Sequence, residues 1–351
     1  MEQTPHQEHI GRILELVRSD STGSILITSQ LDPDGDSVGS QLALRRVLLA
    51  ELGAAAADRI AIVNQVACPK RYRFLADSES IVTPEEVAGR SFDLGFVLDG
   101  GVDRTGNVRP LFEGCRKKVI IDHHKTTQGA GYDVPFIDPK LSSTAEMVYG
   151  IVEDPRSQAR LDAAMAAQLY LGMIYDTGSF QYAATTSRTH RIAALLLEQG
   201  ISHADIAERV MLESPLSAKV LLGKTLAAMR IEAGGRVVWT TVSRELALET
   251  RTTDEDVRAI ITQMIFIEGV RVALLFYERE PGKVKLSLRS RAGGPGETPG
   301  ERERADAFDV ANFARTLDPG GGGHARAAGC MLAGDLHEVS RRVVETLHSK
   351  L

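Results

Sequence analysis

Acidic and imidazole side chains follow several apolar segments of this sequence, in an arrangement that suits metal-dependent chemistry. They occur in four groups, which are Asp34 with Asp36, Asp99, Asp122-His123-His124 and Asp176. Carboxylate oxygens and histidine nitrogens without a thiolate suit Mn²⁺ or a similar divalent ion better than a structural zinc site. Two such ions about 3.5–4 Å apart would bind a phosphate and lower the pKa of a bridging water. The residue types therefore predict a divalent metal centre that acts on phosphate.

Each group also has an ordinary structural explanation when it is taken alone. Asp-Pro-Asp-Gly-Asp, at residues 32–36, is a good solvated turn, a lone acid after a strand often caps a helix, and Asp176 could simply end one. His123 and His124 are harder to explain in this way, because adjacent histidines beside an acid at a strand end serve no packing purpose. The combination of the four groups favours a functional site.

The apolar segments themselves predict how these side chains are positioned. Residues 25–27, 60–63, 94–98 and 119–121 are short, nearly continuous apolar runs with helical patterns between them. This pattern is typical of a parallel sheet that is covered by helices on both faces, which indicates an α/β fold. Ligands of such sheets bind beyond the carboxyl ends of the strands, and the acids and histidines follow those ends.

The length of 351 residues predicts about two domains, at roughly 150 residues each. Helical spacing is expected at 163–174, 188–199 and 204–211, in a stretch that completes the first domain and leads to the second. The second domain is expected to contain strands at 237–240, 270–277 and 284–288 and a helix at 254–266. Residues 291–304 are rich in glycine, proline and charge and predict a loop, either a lid or a tolerated surface insertion.

Composition narrows the possible partners. There are 41 Lys and Arg residues against 47 Asp and Glu residues, a net charge of -6, which argues against a dedicated binder of long duplex nucleic acid. A small nucleotide or a short RNA remains a suitable ligand. Three widely separated cysteines predict neither a disulfide framework nor a cysteine zinc site. Residues 1–20 lack the apolar core of a signal peptide, and we find no run of about 18 apolar residues, so we expect a cytoplasmic protein without a membrane partner.

Taken together, these motifs resemble the DHH phosphoesterase family, whose members pair a DHH domain with a smaller DHH-associated domain. The matching elements are Asp34-Gly35-Asp36, Asp99, Asp122-His123-His124, Asp176-Thr177-Gly178, and the run of four glycines that ends in His324. The resemblance covers nearly the whole chain. It implies a parallel-sheet αβα DHH domain over 1–200, a helical linker over 201–230 and an α/β substrate-binding domain over 231–351.

The resemblance also implies roles for individual residues. One metal ion would be held by Asp36, Asp99, His123 and Asp176. Asp99 would bridge to a second ion, held also by Asp34 and by residue 30. His124 would face the scissile phosphate, as a donor to its oxygen or as an acid to the leaving group, while Asp122 would orient the histidines.

In the second domain, the glycine run 320–323 removes every Cβ, so that backbone N–H groups can approach a phosphate or base. A purely structural glycine turn is the alternative. By resemblance, the end of the substrate away from the reaction would be bound by Arg289, Ser290, Gly321, Gly322, Gly323 and His324. Arg104 and Arg326 are further candidates, for which an ordinary solvated arginine is the competing interpretation.

One position departs from the family pattern. Most members carry a histidine four residues before the first acid of the first motif, and here that position is Gln30. Glutamine offers only an amide oxygen to a metal and is a poorer ligand than imidazole. We expect a weaker, exchangeable site for the second ion. The alternatives are a one-metal or metal-selective site, an altered substrate choice, or loss of activity.

The size and the second-domain motifs resemble the nanoRNase and bisphosphate-nucleotidase branch of the family. The implied reactions are release of 5′-mononucleotides from short RNA and removal of the 3′-phosphate from adenosine 3′,5′-bisphosphate (pAp). One alternative is a phosphodiesterase of the same family that acts on cyclic di-AMP or its linear product. The other is a nucleotide-binding regulator that has lost catalysis through Gln30. A homodimer is also expected from the resemblance.

Overall fold

The computed structural model describes residues 5–291 and 308–350. These residues form two compact units, one up to Glu213 and the other from Ser214. The loop expected at 291–304 lies, apart from Arg291, outside the described residues. The division into 1–200, 201–230 and 231–351 stays a prediction.

The first unit is built on a parallel sheet, which confirms the α/β fold class. Its six strands are β1 (Ile25–Thr28), β2 (Ile60–Val63), β3 (Ile81–Val82), β4 (Leu94–Leu98), β5 (Lys117–Asp122) and β6 (Val134–Ile137). They lie in the order β3-β2-β1-β4-β5-β6, and every neighbouring pair is parallel. Every residue of β1, β2 and β4 is buried, as expected for apolar strands of a sheet with both faces covered.

The strand order explains where a ligand can bind. The chain proceeds from β1 outward to β3 in one direction and from β4 outward to β6 in the other. The connections that leave β1 and β4 therefore diverge, which opens a crevice at the carboxyl ends of these two strands. β1 pairs directly with β4, and β4 pairs directly with β5. The segments that follow all three strands thus begin side by side.

Seven α-helices are described in the first unit. They are α1 (Pro5–Arg18), α2 (Gly35–Leu52), α3 (Arg109–Glu113), α4 (Thr144–Glu153), α5 (Ala163–Asp176), α6 (Ser187–Leu197) and α7 (His203–Ala207). The helix expected at 204–211 is α-helical only to Ala207 and continues as a π-helical turn over Glu208–Leu212. Helices α2 and α5 approach closely at two glycines. A Cβ on Gly39 would lie 2.2 Å from the carbonyl oxygen of Gln168, and one on Gly172 would lie 2.6 Å from Oδ1 of Asp36.

The second unit contains a mixed sheet with apolar clusters on both faces. Its strands are β7 (Arg230–Glu232), β8 (Val237–Val242), β9 (Val272–Glu280), β10 (Lys283–Ser290), β11 (Gly322–His324) and β12 (Ala327–Ala333), in the order β11-β12-β10-β9-β8-β7. Its described helices are α8 (Leu216–Ala227), α9 (Arg244–Thr250), α10 (Asp254–Ile265), α11 (Val310–Leu317) and α12 (Leu336–His348). Leu274 packs in the cluster that includes α11 and α12, and its neighbour Leu275 packs in the cluster that includes α10. This alternation is the period of two expected for a strand between two layers.

Among the helices within 5–291 and 308–350, none is both long enough and apolar enough to cross a membrane.

Candidate metal and phosphate site

The first motif lies at the N-terminus of α2, where unpaired backbone N–H groups favour carboxylates. Asp34 caps the helix, because its Oδ1 accepts hydrogen bonds from the backbone nitrogens of Asp36 (3.0 Å) and Ser37 (3.1 Å). Asp36 is fully buried and accepts from the backbone nitrogens of Thr144 (2.6 Å) and Ala145 (2.8 Å), at the start of α4. Two helix N-termini therefore stabilise these two acids.

Four of the predicted ligands come together around one point. One ligand atom from each of Asp36, Asp99, His123 and Asp176 lies within 4.8 Å of all the others. Nε2 of His123 is 2.7 Å from Oδ2 of Asp176 and 3.8 Å from Oδ1 of Asp99. This nitrogen is buried, and no hydrogen bond of suitable direction joins it to any atom of the described residues. Three carboxylates and an imidazole nitrogen without a directed hydrogen bond fit a divalent metal ion.

Asp99 occupies the centre of the arrangement in a left-handed backbone conformation, with φ of 59°. This conformation is uncommon for residues other than glycine, although aspartate tolerates it better than most. The two oxygens of Asp99 have different surroundings. Oδ2 accepts from Oγ of Ser37 (2.5 Å) and from Nε2 of Gln30 (3.2 Å). Oδ1 instead lies 3.8 Å from Nε2 of His123 and 3.7 Å from Nδ1 of His124.

The protonation of the cluster reflects its burial and its excess of acids. Burial, assisted by the charge of Asp176, raises the pKa of Asp34 to about 6 and that of Asp36 to about 7. Burial and the neighbouring acids also raise the pKa of Asp99. Burial alone would lower the pKa of His123, but the adjacent Asp176 raises it to about 9. The cluster thus retains protons near neutral pH, which a bound cation would displace.

His124 is held by the third member of its own motif. Nδ1 of His124 is 2.7 Å from Oδ1 of Asp122, and the backbone nitrogen of His124 donates to the same oxygen at 3.1 Å. Oγ1 of Thr127 donates to Oδ2 of Asp122. Burial alone would raise the pKa of Asp122, but hydrogen bonds from His124 and Thr127 lower it. The buried, ionised Asp122 therefore fixes the orientation of the His124 imidazole.

Gln30 lies beside Asp34 and Asp99, as its position in the chain predicts. Its Nε2 is within hydrogen-bonding distance of Oδ2 of Asp34 (3.4 Å), Oγ of Ser37 (3.3 Å) and Oδ2 of Asp99 (3.2 Å). Its Oε1 accepts from Nη2 of Arg104 at 2.7 Å. Among the described residues, Asp34 belongs to neither group of acids and histidines whose ligand atoms converge within 4.8 Å.

Ser37, Thr127 and Tyr175 also contribute to the site, and the sequence analysis did not single them out. Ser37 and Thr127 contact the acids through their hydroxyl groups, three residues after Asp34 and five after Asp122. Tyr175 precedes Asp176, and a Cβ on Gly35 would lie 2.8 Å from its ring. Burial, with the nearby charge of Asp34, raises the pKa of Tyr175 to about 12. The signal in the sequence was a hydroxyl-bearing residue within five positions of Asp34, Asp122 and Asp176.

The second unit brings its predicted substrate-binding residues to one end of its sheet. Arg289 and Ser290 end β10, and Arg289 pairs with Ala327 of β12, which also pairs with His324 of β11. The backbone nitrogen of Ser290 donates to the carbonyl of Arg326 at 3.0 Å.

The glycines of this second-unit motif differ in their surroundings. A Cβ would lie 2.7 Å from the carbonyl oxygen of Ala314 at Gly321 and 2.4 Å from that of Ala327 at Gly323. Packing therefore requires glycine at both positions. Gly322 has open space where a Cβ would stand.

Comparison with known proteins identifies the class. Residues 24–173 match the model of the DHH family N-terminal domain, and residues 234–349 match the DHHA1 domain. The chain belongs to the DHH phosphoesterase family and is a hydrolase that acts on phosphoester bonds.

Two named relatives and one solved structure are similar to this chain. The chain is 32% identical, over 94% of its length and 90% of the relative, to the bifunctional oligoribonuclease and PAP phosphatase NrnA of Thermus thermophilus. It is 22% identical to the cyclic-di-AMP phosphodiesterase PdeA of Listeria monocytogenes, over 74% of this chain and 39% of that protein. The crystal structure of an exopolyphosphatase-related protein from Bacteroides fragilis has the same fold, with a TM-score of 0.84 at 22% identity, covering 98% of this chain and 96% of that one.

Proposed function

We propose that this protein releases mononucleotides from short RNA and removes the 3′-phosphate of pAp, with Mn²⁺ as the metal. The observation that carries the proposal is the convergence of Asp36, Asp99, His123 and Asp176 around one point. The substrate class follows the name of the Thermus thermophilus relative, which is similar to this chain over nearly the full length of both.

The four convergent residues are proposed to hold the ion, and Asp34, Asp99 and residue 30 are the family's ligands for a second one. A bound divalent ion offsets the charge of the phosphate and lowers the pKa of a water molecule. His124 is proposed to donate a proton, either to a phosphate oxygen or to the leaving oxygen. Asp122 supports this role because its carboxylate lies 2.7 Å from Nδ1 of His124 and holds the ring in place.

The second unit is proposed to bind the part of the substrate that does not react. Arg289 can bind a phosphate through paired N–H donors, and Ser290 follows it at the end of the same strand. Gly322 has open space beside it, so its backbone can approach a ligand closely. His324 and Arg326 are proposed to complete this group, beside Gly321, which precedes β11, and Gly323, which lies within it. A cytoplasmic location, a homodimer and the exclusion of long duplexes stay predictions.

Product analysis tests the proposal. The protein with Mn²⁺ is offered pAp, a short oligoribonucleotide, linear pGpG and cyclic di-AMP in parallel. We expect phosphate from pAp and mononucleotides from the RNA. Preferential cleavage of cyclic di-AMP would instead support the cyclic-dinucleotide phosphodiesterase. Tight nucleotide binding with no product under several divalent ions would support a regulator.

A matched pair of variants links the activity to the site. Asp99→Ala removes the carboxylate at the centre of the cluster and should abolish both turnover and metal binding. Asp58→Ala changes an exposed aspartate outside the cluster and should leave both unchanged. An active Asp99→Ala enzyme would refute the proposed site.

A further inference from the structure

The side-chain amide of Gln30 has one orientation imposed on it by its neighbours. An arginine guanidinium has only donors, so the atom that faces Arg104 must be the amide oxygen. Oε1 of Gln30 accepts from Nη2 of Arg104 at 2.7 Å, which turns Nε2 toward the carboxylates of Asp34 and Asp99. The contact is anchored at the backbone as well, because the nitrogen of Leu31 donates to the carbonyl of Arg104 at 2.7 Å.

The space between Asp34, Asp99 and residue 30 is therefore lined by hydrogen-bond donors as well as by carboxylates. Oδ2 of Asp99 accepts from Oγ of Ser37 at 2.5 Å and from Nε2 of Gln30 at 3.2 Å. A metal ion requires acceptor atoms, and the one acceptor of the Gln30 side chain points away from this space. Turning the amide would break the bond to Arg104 and place an NH₂ group against a guanidinium. The opposite oxygen of Asp99, Oδ1, faces His123 and His124.

We propose that Gln30 and Arg104 take the place of a second metal ion in this chain. One divalent ion is tightly held, by Asp36, Asp99, His123 and Asp176, and the Gln30 amide satisfies the carboxylates that would otherwise bind another. Arg104 supplies positive charge on that side of Asp99, where its exposed guanidinium keeps further N–H donors available for a substrate phosphate oxygen. This inference rests on the proposed position of the first ion.

Metal counting tests the inference without any substrate. The wild-type protein is loaded with Mn²⁺ and dialysed, its metal content is measured by mass spectrometry, and its Mn²⁺ signal is recorded by electron paramagnetic resonance. We expect one ion per chain and the spectrum of an isolated Mn²⁺. Gln30→His supplies an imidazole acceptor and should bring the content to two, with the spectrum of a coupled pair.

A matched control separates this effect from the mere addition of a histidine. Gln65→His makes the same substitution after β2, where Oε1 of Gln65 accepts from the backbone nitrogen of Asn107 at 2.9 Å. It should leave the metal content at one. Two tightly held ions in the wild type, or a folded Gln30→His protein that still holds one, would overturn the inference. Circular dichroism of each variant establishes that it is folded.

The contribution of Arg104 to substrate binding is measured separately, in the wild type and in Gln30→His. In the wild type, Arg104→Ala should raise KM for pAp at least tenfold, with the tightly held ion retained. In Gln30→His, where a second ion supplies the charge, the same change should cost less than threefold. An equal rise in KM in the wild type and in Gln30→His would contradict the proposal that Gln30 and Arg104 take the place of a second metal ion.

The inference and the proposed function fail in different ways. One ion with no hydrolysis of any substrate would overturn the function alone. Hydrolysis by a wild-type protein with two tightly held ions would overturn the inference alone.

Discussion

The backbone nitrogen of Thr144 donates a hydrogen bond of 2.6 Å to Oδ2 of Asp36, which ties the start of α4 to the proposed metal centre. The nitrogen of Ala145 donates to the other oxygen of Asp36 at 2.8 Å. The first N–H groups of a helix have no acceptor within the helix, so Asp36 satisfies two donors that would otherwise be buried without partners. This carboxylate therefore supports the fold as well as the site.

We expect Asp36→Ala to destabilise the metal-free protein more than Asp176→Ala. The first change leaves two buried N–H groups unsatisfied, at a cost of about 1–3 kcal/mol each. Asp176→Ala removes the ion pair with His123 at 2.7 Å, but it also relieves the repulsion by which Asp176 raises the pKa of Asp34 and Asp36, so we expect a smaller net cost. Urea denaturation at pH 6 with EDTA measures both, at a pH where most Asp36 side chains are protonated and relief of charge repulsion is small. Equal destabilisation would show that Asp36 has no structural role of this kind.

Metal binding should release protons, and Mn²⁺ should stabilise the protein more at higher pH. In the metal-free site the pKa of Asp36 is raised to about 7 and that of His123 to about 9. A group whose pKa is raised by folding adds stability at low pH and loses that contribution as the pH rises through its folded pKa. The metal-free protein should therefore lose stability between about pH 4 and pH 9, with the contribution of Asp36 lost up to about pH 7 and that of His123 lost from about pH 6.5 upward.

Thermal melts with EDTA and with Mn²⁺ across this window measure the effect, and the Mn²⁺-induced rise in Tm should grow with pH. Titration calorimetry in two buffers of different ionisation enthalpy counts the released protons. A rise in Tm that does not vary with pH, together with no proton release, would contradict the protonated cluster.

Asp122→Asn should lower kcat while leaving the metal content unchanged. The substitution removes the anionic partner of Nδ1 of His124, so the imidazole loses its fixed orientation, and losses of this kind are about 10- to 100-fold. Thr127→Val, which removes only the hydrogen bond to the other oxygen, should give a smaller loss. Steady-state kinetics with pAp and metal analysis provide the comparison. Full activity of Asp122→Asn would exclude an orienting role.

Arg289→Ala should raise KM for pAp about tenfold or more, which corresponds to about 1.4 kcal/mol of binding free energy. The metal content should not change, because Arg289 belongs to the second unit. Arg279→Ala is the matched control, since Arg279 is an exposed arginine on the neighbouring strand β9 that pairs with Asp254 at 2.9 Å. If the two variants have the same KM, Arg289 does not bind the substrate.

The strands that precede the motifs of the first unit could be predicted from the sequence. They are buried on both faces of the sheet, so their residues are almost continuously apolar. Strands β1, β2, β4 and β5 are apolar runs without interruption or nearly so, and hydrophobicity alone indicates them. β3 has two residues and β6 contains Pro135, so neither gives a periodic signal. β7 is mostly exposed, so it too gives no periodic apolar signal. Tertiary pairing, which a local pattern does not contain, determines these three strands.

The acids and histidines of the site were predictable because they follow strand ends, whereas their mutual orientation was not. The direction of the Gln30 amide depends on Arg104, which is 74 residues further along the chain. The second hydrogen bond of Oδ2 of Asp99 comes from Ser37, which the sequence marks only as one more residue of a turn. Contacts of this kind are set by packing after the chain has folded.

The close contact between α2 and α5 has a consequence for the order in which the protein can be assembled. Asp36 lies in the first turn of α2 and Asp176 is the last residue of α5, and the two glycines let the helix backbones approach. Synthesis of the chain reaches Asp176 after β1, β4 and β5, so an unfinished chain contains the other proposed ligands without the last. Docking of α5 would thus couple completion of the first unit to completion of the proposed metal site, and a ribosome-bound fragment that ends before Asp176 would lack one of the four convergent residues.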